Sequence, residues 1–112
     1  MSDGKLSIFD LTGRVAVVTG GNRGIGLGMA RGLAKAGAGI VVWSRDPSKN
    51  AEAVAELQVL GIRAGAIACD VSSEESVVNA CAATVEEFGR IDIGVANAGF
   101  GAFGDPLEMS LE

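Results

Sequence analysis

Four short runs of apolar residues, none alternating with polar ones, set the tightest limit on what this chain can fold into. They are Arg14-Val-Ala-Val-Val-Thr19, Gly39-Ile-Val-Val-Trp-Ser44, the weaker, Ala-rich Arg63-Ala-Gly-Ala-Ile-Ala-Cys69, and Ile91-Asp-Ile-Gly-Val-Ala96. A strand with one wet face would alternate, whereas an unbroken run suits a strand covered on both faces, as in a parallel sheet. Parallel neighbours need crossovers, and a helical segment stands in each gap. Gly24 to Ala36 sets Ile25, Met29, Leu33 and Ala36 on one face and stops at Gly37. Asp46-Pro47 reads as an N-cap followed by proline at the first helical position, and that helix runs to Leu60 and stops at Gly61. Ser72-Ser-Glu-Glu75 matches a capping box, in which hydroxyl and carboxylate satisfy each other's orphan N–H groups. Val77, Cys81, Val85 and Phe88 then share a face, and Gly89 ends the helix. With right-handed crossovers, β-α-β-α-β-α-β predicts an α/β fold with a doubly wound parallel sheet, its strands in the order 3-2-1-4.

The rest of the composition mostly excludes. A chain of 112 residues suits a single domain, and 48% hydrophobic residues argue for a buried core over disorder. The net charge of −5 argues against nucleic acid or an anionic membrane surface as the main partner. With no His and no Tyr, the chain alone builds no Ser-His-Asp triad, no His-ligated metal and no Tyr general acid. Cys69 and Cys81 form no CxxC and read as small buried hydrophobes, so no metal site is expected. Met1 to Asp10 lacks the apolar stretch of a signal peptide, and the longest apolar run, Gly37 to Trp43, is too short for a bilayer. A soluble, reducing, cytoplasmic setting is the default expectation.

The chemistry gathers at Thr19-Gly20-Gly21-Asn22-Arg23-Gly24-Ile25-Gly26, between the first strand and the first helix. A parallel sheet places an anion site there, because backbone N–H groups at a helix N-terminus point at phosphate. Glycine supplies positive φ and lets a pyrophosphate approach the backbone. A plain turn needs one or two glycines, and this one has Gly20, Gly21, Gly24 and Gly26. It is not a P-loop, since Leu27 stands where the phosphate-binding Lys would follow Gly26. It is not GxGxxG either, because Met29 replaces the third glycine after Gly24 and Gly26. The pattern is TGxxxGxG.

That pattern resembles the classical short-chain dehydrogenase/reductase family, in its N-terminal, cofactor-binding half. The family's NNAG appears as Ala96-Asn97-Ala98-Gly99, with Ala for the first Asn, which puts one side-chain hydrogen bond in doubt. Asp70-Val71 follows the third run as the family's adenine-contacting pair does, and Gly89-Arg-Ile-Asp92 fits its approach to the fourth strand. The resemblance covers roughly residues 8–112 and implies a Rossmann-type fold that binds a dinucleotide. Asn22, Arg23, Gly24, Ile25 and Gly26, after Gly20, would line the pyrophosphate and adenosine ribose. Asp70 would bond the adenine amino group, with Val71 contributing its backbone. Asn97, Ala98 and Gly99 would run beside the nicotinamide-side ribose. The structural alternatives are a strand-end turn for Asp70 and a sheet-to-loop bracket for Asn97.

NAD preference uses a carboxylate at the end of the second strand, which accepts from the ribose 2′-OH and repels a 2′-phosphate. Ser44 stands there, followed by Arg45, while Arg23 in the turn faces the same spot. Guanidinium groups make charge-assisted bonds to phosphate, so NADP is expected and NAD less so. Asp46 is already committed as an N-cap. The family's activity is hydride transfer between nicotinamide and a carbonyl or alcohol carbon, with Tyr, Lys, Ser and Asn handling substrate and proton. With no Tyr here, the catalytic groups are expected after Glu112, no catalytic residue is assigned to this chain, and residues 1–112 are read as one partial domain of a longer or truncated protein. The alternative is a non-catalytic NADP-binding or sensing module on the same fold. The resemblance also implies a homo-oligomer, dimer or tetramer, acting on a small carbonyl or alcohol. Phe9-Asp-Leu-Thr-Gly-Arg-Val resembles sugar-acid and related carbonyl reductases.

Overall fold

The computed structural model describes residues 10–20, 22 and 24–97. Strand β1 (Val15–Thr19) leads through the glycine turn to helix α1 (Gly24–Lys35) and strand β2 (Gly39–Ser44). Helix α2 (Pro47–Gln58), strand β3 (Ala64–Ala68), helix α3 (Glu74–Phe88) and strand β4 (Ile93–Val95) complete the order. The strands form one parallel sheet in the order β3-β2-β1-β4, as expected.

Period-two alternation sends each strand's residues to opposite faces. Ala16, Val18, Ile40 and Val42 face Ala30, Ala34 and Leu57 of α1 and α2. Val15, Val17, Val41 and Trp43 face the other way, onto Ala80 and Phe88 of α3. β1 and β2 are therefore covered on both sides, which is why their sequences are unbroken apolar runs. The chain steps outward from β1 to β2 to β3, then crosses back to β4 on the far side of β1. That reversal of direction puts α3 on the opposite face from α1 and α2, as right-handed crossovers require.

Both outer helices begin on side-chain caps. Asp46 accepts from the Lys49 N–H at 3.1 Å, with Pro47 at the first helical position as read from the sequence. The cap of α3 is Ser73, which accepts from the Ser76 N–H at 3.1 Å, one residue later than the expected Ser72. Ser72 is already engaged, because its N–H and hydroxyl both donate to Asp70 Oδ1, at 3.0 and 2.6 Å. Gly89, at φ +88°, closes α3 in the left-handed conformation.

Two expected helix faces are corrected. In α1 the buried residues are Gly26, Ala30 and Ala34, with Leu27 and Leu33 partly buried beside them, while Ile25 is 76% exposed and Met29 36% exposed. In α3 the buried residues are Ala80, Thr84 and Phe88, and Val85 points to solvent. Small residues let both helices lie close to the sheet, which outweighs the pull of one larger apolar side chain. Buried Thr84 has a specific partner, since its Oγ1 accepts from Trp43 Nε1 at 3.1 Å and donates to the Ala80 carbonyl at 2.7 Å. Phe88 packs against Gly65, where a Cβ would meet its ring at 2.9 Å, and the Arg63 guanidinium lies over the ring, 4.3 Å from the centroid.

Candidate functional site at the sheet's carboxyl edge

Parallel strands end together. The register pairs Thr19 with Trp43, Ser44 with Ala68 and Val18 with Val95, so the loops leaving all four strands share one edge. The direction of the sheet reverses between β1 and β4, and ligands of open α/β sheets bind in that crevice. The glycine turn stands over it.

The turn is held from both flanking strands. Gly20 N–H donates to the Trp43 carbonyl at 3.0 Å and extends the β1–β2 pairing into the turn. Thr19 Oγ1 accepts from the Asn97 N–H at 2.8 Å and donates to the Val95 carbonyl at 3.4 Å, which ties the end of β4 to the end of β1. Gly20 and Gly24 take φ +66° and +60°, the conformation that only glycine adopts freely. Gly26 is required for space instead: a Cβ there would lie 2.2 Å from the Gly20 carbonyl oxygen and 2.8 Å from Asn97 Nδ2. The first turn of α1 carries no acidic residue, whereas α3 opens on Glu74 and Glu75. That leaves the positive end of the α1 dipole uncompensated by carboxylates, as an anion site needs.

Asn22 is buried and turned into the corner between β2 and α2. Its amide nitrogen donates to Ser44 Oγ at 2.7 Å and to Asn50 Oδ1 at 3.1 Å. The Asn22 side-chain amide is therefore engaged within the protein. Asn50 was not foreseen. It is buried, and its own amide nitrogen donates to the Ser44 carbonyl at 3.0 Å. A signal existed: Asn50 shares the buried face of α2 with Ala53 and Leu57, an odd place for an amide unless it is bonded.

Arg45 is exposed, and its charge contributes to the field at Asp70. The Ser72 hydroxyl and then the Ser72 N–H hold the Asp70 carboxyl below the usual carboxylate range, with Arg45 adding a smaller pull. Asp70 is thus an ionised acceptor at neutral pH, suited to an amino donor such as that of adenine. It is also a strand-end turn residue, and its N–H donates to Ser76 Oγ at 2.9 Å, so Ser76 fixes where β3 ends. Asn97 likewise brackets sheet and loop through Thr19. Cys69 is buried, burial pushes its thiol up, and Cys81 is half-buried beside the same core. Arg23, Ala98 and Gly99 of the expected site lie outside the described residues. Among the described residues no group of acidic, His or Cys side chains could hold a metal, and no helix is long and apolar enough to cross a membrane.

A parallel 3-2-1-4 sheet with a glycine cradle at the point of reversal defines the nucleotide-binding end of a Rossmann-type fold. The family model of the short chain dehydrogenases matches residues 14–112, and the chain belongs to that family. It is 41% identical over 102 residues to a short-chain dehydrogenase/reductase of Arabidopsis thaliana, covering 91% of this chain and 40% of that protein. The L-sorbose reductase of Gluconobacter frateurii, solved with NADPH and L-sorbose, is similar with a TM-score of 0.77 and 40% identity over 81% of this chain and 35% of that one. An NAD+-bound xylitol dehydrogenase is similar with a TM-score of 0.73 and 34% identity over 75% of this chain and 32% of that one. The chain spans about two-fifths of the length of the curated relatives it matches.

Proposed function

We propose that this chain is the cofactor-binding half of an NADP-dependent oxidoreductase, which transfers a hydride between nicotinamide and the carbonyl or alcohol carbon of a small molecule. The observation that carries the reading is the end of β2. Ser44 and Arg45 stand there, and the next carboxylate in sequence, Asp46, is occupied as the cap of α2. A 2′-phosphate meets a hydroxyl and a guanidinium at that place, whereas an NAD site presents a carboxylate to the 2′-OH. The likeness to a reductase solved with NADPH supports this; a likeness to an NAD+-bound dehydrogenase stands beside it, so family membership alone does not choose between the two and the reading rests on the β2 end.

The residues present fit a dinucleotide. Gly20 and Gly24 have the backbone angles of a phosphate-binding turn, and any Cβ at Gly26 would break it. The cofactor when bound supplies the hydride equivalent. This chain's part is to seat the pyrophosphate on the turn, hold the adenine amino group at Asp70 and the 2′-phosphate at Ser44 and Arg45, and position the β4 end through Asn97. The chain has no Tyr and spans about two-fifths of its relatives' length, so we assign the family's proton-handling groups to the portion of the relatives that this chain does not span. The test is NADPH and NADH oxidation by the full-length protein with small carbonyl compounds, ketosugars included. Turnover with a clear preference for NADPH is expected. Turnover with neither, or a preference for NADH, would overturn the proposal.

A further inference from the structure

We propose that Asn50 is a positioning residue that, through Asn22, fixes the Ser44 hydroxyl as a hydrogen-bond donor and so selects a 2′-phosphate over a 2′-hydroxyl. The inference rests on the NADP reading above and deepens it. Ser44 Oγ accepts from Asn22 Nδ2 at 2.7 Å and from the Asp46 N–H at 3.3 Å. Both partners are donors only, so the two acceptor positions of the hydroxyl oxygen are filled. Its own proton is what remains, and no acceptor among the described residues takes it. Ser44 is only partly buried, so that proton is available to a ligand at the β2 end. A phosphate oxygen can accept it. A ribose hydroxyl can accept it too, but as a neutral and weaker acceptor, and its own proton finds no acceptor on Ser44.

The polarity of Ser44 depends on which way the Asn22 amide faces. An amide presents NH2 on one side and carbonyl oxygen on the other, and a reversed Asn22 would offer Ser44 an acceptor. The Ser44 proton would then turn inward and be lost to the ligand. Asn50 prevents this. Its Oδ1 accepts from Asn22 Nδ2 at 3.1 Å, so the NH2 side of Asn22 must lie between Asn50 and Ser44. The orientation of Asn50 is set in turn, because its Nδ2 donates to the Ser44 carbonyl at 3.0 Å. Asn22 and Asn50 are 8% and 5% exposed, so water is a poor substitute for either partner. Asn22 donates to both Ser44 Oγ and Asn50 Oδ1, and Asn50 donates back to the Ser44 main-chain carbonyl, which leaves the Ser44 hydroxyl proton for the 2′ position of the proposed site.

The test is calorimetric titration of the full-length protein with 2′,5′-ADP and with 5′-ADP, which differ only in the 2′-phosphate. The native protein should prefer 2′,5′-ADP. Asn50→Ala, which keeps a good helix former in α2, should reduce that preference roughly ten-fold, since one hydrogen bond to a charged group is lost. Affinity for 5′-ADP should stay nearly constant. Ser44→Ala should reduce the preference similarly, and the double variant should do no worse than Ser44→Ala alone, because Asn50 acts only through Ser44. A purely structural Asn50 would instead lower affinity for both nucleotides and add to the effect of Ser44→Ala. If the native protein prefers 2′,5′-ADP and Asn50→Ala leaves the preference intact, the positioning role is overturned while the NADP reading stands. No native preference would overturn both. If Asn50→Ala fails to fold, an undiminished preference in Ser44→Ala would by itself overturn the proposal.

Discussion

At the scale of single residues, the glycine turn separates two reasons for needing glycine. Gly24 has open space around its absent Cβ but sits at φ +60°, while Gly26 is packed against Gly20 and Asn97. Gly24→Val should therefore abolish dinucleotide binding, because a β-branched residue is an outlier at that φ and the turn must refold to hold it. A thermal-shift titration checks this, and a shift with NADP equal to the native one would contradict it. The carboxylates give a second residue-scale expectation. Asp70 is held down by Ser72, and Asp92 by Arg90, which grips it through two nitrogens at 2.8 Å, and by the Val15 N–H at 2.8 Å. Their folded-state pKa values lie below the unfolded ones. The stability they contribute is therefore full above about pH 4 and is lost as the pH falls through the folded values. The melting temperature should be flat from about pH 7 to 5 and drop below about pH 4. Asp92→Asn should lower the plateau and make the acid drop shallower. An acid drop as steep as the native one would show that Asp92 does not contribute.

At the scale of elements, what could be read from the sequence divides by physical cause. β1 and β2 were legible because both their faces are covered, and β2 spans Gly39–Ser44 as expected. β4 is shorter than its apolar run, Ile93–Val95 instead of 91–96, and Asp92 ties its start to β1, its N–H donating to the Val15 carbonyl and its carboxylate accepting the Val15 N–H, both at 2.8 Å. The helix faces were misread at Ile25, Met29 and Val85, since periodicity weights large side chains while close packing selects Gly26, Ala30, Ala34 and Ala80. The cap of α3 was misplaced by one residue because Ser72 and Ser73 both fit the pattern, and only the turn at Asp70 decides between them. Around the turn, the need for Gly20, Gly24 and Gly26 was legible from spacing, but the Asn50 bonds cross the fold and show only once α2 is docked. The Trp43–Thr84 bond is another such contact. Thr84→Val conserves shape but leaves the buried indole N–H without its acceptor, at a cost of about 1–3 kcal/mol. Urea denaturation measures it, and an unchanged midpoint would mean that the bond does not help hold α3 on the sheet.

At the scale of the whole molecule, β4 has β1 on one side and no strand on the other among the described residues. An unpaired edge is a template for association. The outer face of α3 also shows Val78 and Val85 to solvent, at 58% and 47% exposure. A polypeptide of these 112 residues alone should therefore associate or fold only in part, and should turn over no NADPH with any carbonyl compound. Sedimentation velocity and an NADPH assay check this. A cooperatively folding monomer would contradict the first expectation, and measurable turnover the second.

The claim on which all scales converge is that the β2 end selects the 2′-phosphate. Equilibrium titration of the full-length protein with NADPH and NADH, native and Arg45→Asp, tests it most directly. Each charge-assisted contact to the phosphate should be worth about 1.5–3 kcal/mol, so native NADPH should bind at least roughly ten-fold more tightly than NADH. Arg45→Asp should erase or reverse that ratio by replacing a phosphate partner with an acceptor for the ribose hydroxyl. Equal native affinities, or a ratio that Arg45→Asp does not move, would contradict the account.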